Sequence, residues 1–224
     1  MKTTYTSAGA ALALLLAVSG CSSDDPAGPT GAAPPASSAP ATGAPSASAP
    51  AGVPAAAAGA SIGAKGTPCQ LPFSFQTAAD WKAKAVDVKK LGELAALAKV
   101  GEFTVVCEID AKPAGSIGFL RVHVADGLSG APAEHLQEFV KAAVGKREVS
   151  GTDITDVQIG GAQAAEASWE TFDKEYDMRS RYTAFAMNTK AGMVVVQLAP
   201  LDTGEFTSML PAYELARKSV KIQA

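Results

Sequence analysis

The sequence predicts an α+β fold: one domain in which an antiparallel β-sheet is packed by helices. Three observations carry this expectation. Period-two alternation of apolar and polar residues dominates from residue 71 onward. Short turn sequences rather than crossover helices join most adjacent strand candidates. Helical patterns interrupt the strands early, in the middle and at the C-terminus. Between about 150 and 198 no helical stretch is available to connect parallel strands, which argues against a doubly wound sheet.

Leu71-Pro72-Phe73-Ser74-Phe75-Gln76 alternates and carries a proline, so it reads as an edge strand. Trp81–Val86 is a shorter candidate. A short helix at Leu91–Lys99, closed by Gly101, is weakened by Gly92. Phe103, Val105, Cys107 and Ile109 alternate with polar neighbours, and Lys112-Pro113-Ala114-Gly115 turns the chain into Ile117–Val124. A helix at 132–144 follows, with Pro132 in its first turn, Leu136, Phe139, Val140, Ala143 and Val144 as its buried stripe, and Gly145 as its stop. Strands at 154–159, 163–172, 176–187 and 193–198 come next; Gly160-Gly161 and Asn188–Gly192 read as hairpin loops. Asp202 and Glu205 have capping-box spacing ahead of a helix with Phe206, Met209, Leu210, Tyr213 and Ala216 on one face. Pro211 predicts a kink or a broken start there, and Ser219–Ile222 a last strand.

Composition divides the 224 residues into three parts. Residues 1–20 have the form of a lipoprotein signal peptide: Lys2, an apolar run Ala8–Val18 too short to span a bilayer, and small residues before Cys21. Val18-Ser19-Gly20-Cys21 resembles a lipobox, so Cys21 is the expected acylation site, with two or more chains (palmitate or similar) giving a stable anchor. Residues 21–65 read as this cysteine followed by a disordered tether; of residues 22–65, 39 are Ala, Pro, Gly, Ser or Thr. Residues 66–224 hold 13 of the 14 aromatics and form the expected domain. The expected location is the outer, extracytoplasmic face of the cell membrane, and the Ala/Pro bias suggests a GC-rich actinomycete. With 17 Lys/Arg against 20 Asp/Glu, the domain lacks the basic footprint of a nucleic-acid binder.

Two cysteines in an exported domain, Cys69 and Cys107, are read as one disulfide. Their separation does not suit a metal or redox pair, so neither a metal nor a cofactor is expected.

Phe73-Ser74-Phe75-Gln76…Trp81, Ile159-Gly160-Gly161-Ala162 with its flanking strands, and Pro211-Ala212-Tyr213-Glu214…Ser219-Val220-Lys221-Ile222 together resemble the PsbP-like domains, to which lipoproteins of the actinobacterial LpqN type belong. The resemblance covers about 71–222. It implies a PsbP-like α/β/α sandwich serving as an accessory or binding domain, with no shared catalytic set to carry over.

Enzyme signatures are absent from the sequence: it has no Gly-x-Ser-x-Gly, His-Glu-x-x-His or glycine-rich phosphate loop with lysine. His135 reads as solvent-facing. His123 shares a strand face with Arg121, and Arg179 shares one with Arg181. If their strands come together, Arg121, His123, Arg179 and Arg181 form a basic patch for an anionic cell-wall polymer or acidic protein; otherwise they are a solvated face. Trp169 and Tyr182 are expected in the core. The functional expectation is a non-enzymatic, membrane-anchored binding or accessory domain for an envelope partner. The alternative is a carrier lipoprotein with an apolar pocket for a lipid or small molecule.

Overall fold

Alternation turns into architecture most plainly at β5 (Phe103–Asp110) and β6 (Gly118–Asp126), in a computed structural model that describes residues 53–223. Phe103, Val105, Cys107 and Ile109 are all buried and their neighbours half-buried, and a bulge between Val105 and Cys107 sends Phe103 into one core and Cys107 and Ile109 into the other. A short 3₁₀ turn at Lys112–Ala114, ended by Gly115 in the left-handed region, closes this hairpin.

The remaining hairpins follow the same logic. β7 (Glu148–Ile159) and β8 (Ala162–Asp173) meet through Gly160-Gly161, with φ of 59° and 81°, the mirror-image turn geometry that matches strand twist. β9 (Met178–Thr189) returns as β10 (Gly192–Pro200), with Thr189 paired to Gly192. β3 (Lys82–Ala85) and β4 (Lys99–Val100) share the outer edge of β5. The order is β3-β5-β6-β10-β9-β8-β7, antiparallel throughout.

This sheet is buried on both faces. Along β10, Val194, Val196 and Leu198 belong to one core, while Met193 and Val195 belong to the other. A continuous apolar run is what such a central strand needs. Helix α1 (Pro132–Val144) packs Leu136, Phe139 and Val140 onto the second face, lying mainly over β7, β8 and β9. Helix α2 (Thr203–Lys218) packs Phe206, Met209 and Tyr213 onto the first. Asp202 caps α2 by accepting a 2.8 Å hydrogen bond from the Glu205 N–H, as the spacing predicts. The α+β fold, an antiparallel sheet packed by helices, is therefore as expected.

A second, three-stranded sheet of order β1-β2-β11 closes the first core, formed by β1 (Ala58–Ile62), β2 (Phe73–Ala78) and β11 (Lys221–Ile222). The Cys69–Cys107 disulfide, with both residues buried, ties the loop before β2 to β5.

Four local expectations change. The fold extends into the stretch read as tether, because β1 lies before residue 66. Its apolar content is low, but backbone pairing and close approach hold it: a Cβ on Gly63 would stand 1.9 Å from the Phe73 carbonyl. β2 is a central strand, not an edge, since Pro72 falls one residue before it and removes no ladder N–H. The early helix is a 3₁₀ segment, Val88–Ala98, interrupted at Gly92. Helix α2 runs through Pro211 without a broken start. The leader, Cys21 and the tether up to residue 52 lie outside the described residues.

Candidate functional site

Strand parity separates the four residues of the expected basic patch. On β6, Arg121 pairs with Gln197 of β10, and Gln197 pairs with Ala184 of β9, so these three share the face that α1 covers. Arg181 stands three residues from Ala184 and Arg179 five, which puts both on the opposite face. The patch Arg121–His123–Arg179–Arg181 is thus not formed. Arg181 lies 5.0 Å over the Phe206 ring of α2, and Arg179 lies 4.8 Å over Phe172. Register across three strands, which alternation within one strand does not reveal, decides the outcome.

His123 is not a surface group at all. Only 1% of it is exposed, and its ring meets Phe139 of α1 edge-on at 4.8 Å. Burial foremost, and then the Arg121 charge, lowers its pKa from 6.5 to about 3; Gln197 offsets this in part. The imidazole is therefore neutral near pH 7. Neither ring nitrogen attains hydrogen-bond geometry with a partner among the described residues.

His123 lines a cavity of about 480 Å³ on the α1 face. Helix α1 leaves part of β5, β6 and β10 uncovered, and the 3₁₀ segment lies over this gap. The floor is Val105, Arg121, His123 and Gln197; Leu91, Leu94 and Leu97 form one wall. Leu94 and Leu97 are 60% and 79% exposed. Tyr182 and Arg147 close the end beside α1.

Both arginines are held in place. Arg121 donates from Nε to Glu108 at 2.8 Å. Arg147, just past α1, donates to the Val144 and Ala143 carbonyls at the helix end and, through Nη1, to the Tyr182 hydroxyl at 2.9 Å. A guanidinium at this position complements the negative end of the helix dipole. Arg147 has no carboxylate partner among the described residues. Sequence reasoning missed Arg147, Gln197 and Glu108. The one available signal was a basic residue just after a helix stop, which also describes many plain caps.

The other singled-out residues are structural. Trp169 stacks on Tyr182 at 5.4 Å inside the second core, and Tyr213 is buried in the first. His135 sits half-buried in the first turn of α1, 3.3 Å from the Ser129 carbonyl. Among the described residues, no three His, Cys, Asp or Glu side chains converge to hold a metal ion. No helix among them is long and apolar enough to cross a membrane.

Comparison with known proteins adds two positive findings. A family model described as an uncharacterised lipoprotein matches residues 37–220. The solution structure of cyanobacterial PsbP (CyanoP) from Synechocystis sp. PCC 6803 superposes with a TM-score of 0.53 at 11% identity, covering 79% of this chain and 99% of that one. The likeness is one of fold: a PsbP-like arrangement of antiparallel sheet and helices. No curated protein matches the chain.

Proposed function

The chain belongs to this lipoprotein family, and from that premise we propose that it is a lipid-anchored extracytoplasmic domain that binds and supports an envelope partner without catalysis of its own. Cys21, acylated after cleavage of residues 1–20, holds it on the outer face of the membrane, and the Pro-rich segment sets its distance from the surface. The PsbP-like fold supports an accessory role by analogy of architecture alone.

The observation that carries the non-catalytic reading is the state of the groups around the cavity on the α1 face. Arg121 and Arg147 are already hydrogen-bonded in fixed positions, Glu108 is paired, and His123 is neutral with a pKa near 3. Groups fixed in this way hold a ligand or a partner side chain, and the one imidazole among them stays neutral.

Cell fractionation combined with metabolic labelling by an alkynyl fatty acid tests the anchor. The wild-type chain is expected in the membrane fraction with label, and Cys21→Ala in the soluble fraction without it. A labelled Cys21→Ala chain rules out Cys21 as the acylated residue. Crosslinking in intact cells then tests the partner. One envelope component crosslinked by the anchored chain, and lost when the anchor is removed, is the expected result; uniform labelling of unrelated proteins contradicts a specific partner.

A further inference from the structure

The cavity on the α1 face carries more than general binding. Its side chains offer hydrogen-bond donors in excess: two guanidinium groups, the Gln197 amide and the Tyr182 hydroxyl. The one carboxylate in the lining, Glu108, already accepts from Arg121. Formal charge in the lining is therefore +1. Beside this donor-rich floor stands a wall of Leu91, Leu94 and Leu97, two of which are exposed.

We infer that this cavity binds a long-chain carboxylate, with the head group at Arg147 and Arg121 and the alkyl chain along the leucine wall. A singly charged acceptor matches the single positive charge. A planar carboxylate matches the guanidinium fork, and Arg147 still has two of its five N–H donors after its three bonds to protein. His123 supplies the second, independent observation. It is a buried polar side chain in the cavity wall with no partner at either nitrogen. Leaving such a group unmatched costs about 1–3 kcal/mol, so its neutral ring sets a buried polar floor beneath the two guanidinium groups. A volume of about 480 Å³ lies within the range of small-molecule pockets. The inference needs neither the anchor nor an envelope partner, so either can fail without the other.

The full chain in nanodiscs of a zwitterionic lipid, titrated calorimetrically with decanoate, decanol and decyl phosphate against empty discs, tests it. Decanoate is expected to bind one-to-one and saturably, about ten-fold or more tighter than decanol. Arg147→Gln is expected to weaken decanoate about ten-fold. Because Arg147 also caps α1, a second variant avoids the helix: Leu94→Asp with Leu97→Asp changes two exposed positions and places repulsive charge on the wall. This pair is expected to weaken decanoate about ten-fold or more while leaving the unfolding midpoint in place. No saturable decanoate binding, equal affinity for decanol, or an unaffected double-aspartate variant each overturns the proposal. Tighter binding of decyl phosphate than of decanoate overturns the carboxylate assignment.

Discussion

The hydroxyl of Tyr213 on α2 donates a 2.7 Å hydrogen bond to the Glu166 carboxylate on β8, and Arg217 brings its Nε within 3.5 Å of the same oxygen. One helix turn thus brings a hydrogen-bond donor and a cation to one strand carboxylate, fixing how α2 lies on the sheet. Burial, with the Glu166 charge adding to it, raises the Tyr213 pKa well above the usual value.

Tyr213→Phe should therefore lower stability by about 1–2 kcal/mol, since it removes a buried donor and leaves its acceptor. The pH dependence has a definite sign. Below about pH 10 both folded and unfolded chains keep the phenol proton; above it the unfolded chain releases the proton first, so stability falls as pH rises. Urea midpoints at about pH 8 and about pH 11 check this: wild type should lose more than Tyr213→Phe over that interval.

His123 predicts the opposite limb. Its folded pKa lies below the ordinary 6.5, so its contribution is complete above 6.5 and is lost as pH falls toward about 3, because the unfolded chain takes up the proton. At about 1.4 kcal/mol per unit, the loss amounts to several kcal/mol at the acid end. Arg121, Arg147 and Glu108 are the charged side chains lining the same cavity. His123→Leu should flatten the stability profile between about pH 6.5 and pH 4, and should stabilise the fold near pH 5 by removing an unpaired buried polar group. Equal slopes for the two proteins would contradict the buried neutral state.

Reduction of Cys69–Cys107 should require opening of the fold, since both residues are buried. Replacing both by Ser is expected to cost about 2–4 kcal/mol, measured as a shift in denaturant midpoint. Rapid reduction under native conditions, at a rate independent of added denaturant, would contradict their burial.

β1 supplies the last prediction. Gly63 combines φ of 106° with contact against the Phe73 carbonyl, so Gly63→Ala should disrupt the β1–β2 pairing and cost about 2 kcal/mol or more. Gly66→Ala is the control: its φ is also positive, but open space surrounds it, so its cost should be smaller. A chain beginning at residue 66 should unfold earlier than one beginning at residue 53, because it lacks β1. Matching midpoints would mean that β1 contributes nothing to stability.

Much of this was readable in the sequence because it depends on near neighbours. Alternation marked Val105, Cys107 and Ile109 as buried positions of β5, though the bulge after Val105 turns Cys107 and Ile109 to the other core. Pro132 and Gly145 bounded α1, Asp202 capped α2, and Gly160-Gly161 announced a hairpin by their freedom to adopt positive φ. β1 was hidden, since Ala, Gly and Ser at its core carry no apolar signal and its hold comes from backbone pairing.

The sequence by itself determined the class of fold, most strands of its main sheet, the two long helices that pack on it and the pairing of its two cysteines. Only the tertiary structure decided which side chains meet. Arg121 and Arg181 lie on opposite faces because the register through β10 sets the parity of β9 against β6, and no local pattern contains that register. Arg147, Tyr182, Gln197 and His123 line one cavity although they come from separate strands and a helix end. Secondary structure follows from interactions a few residues apart, whereas a site assembled across four elements depends on distances that only the packed chain defines.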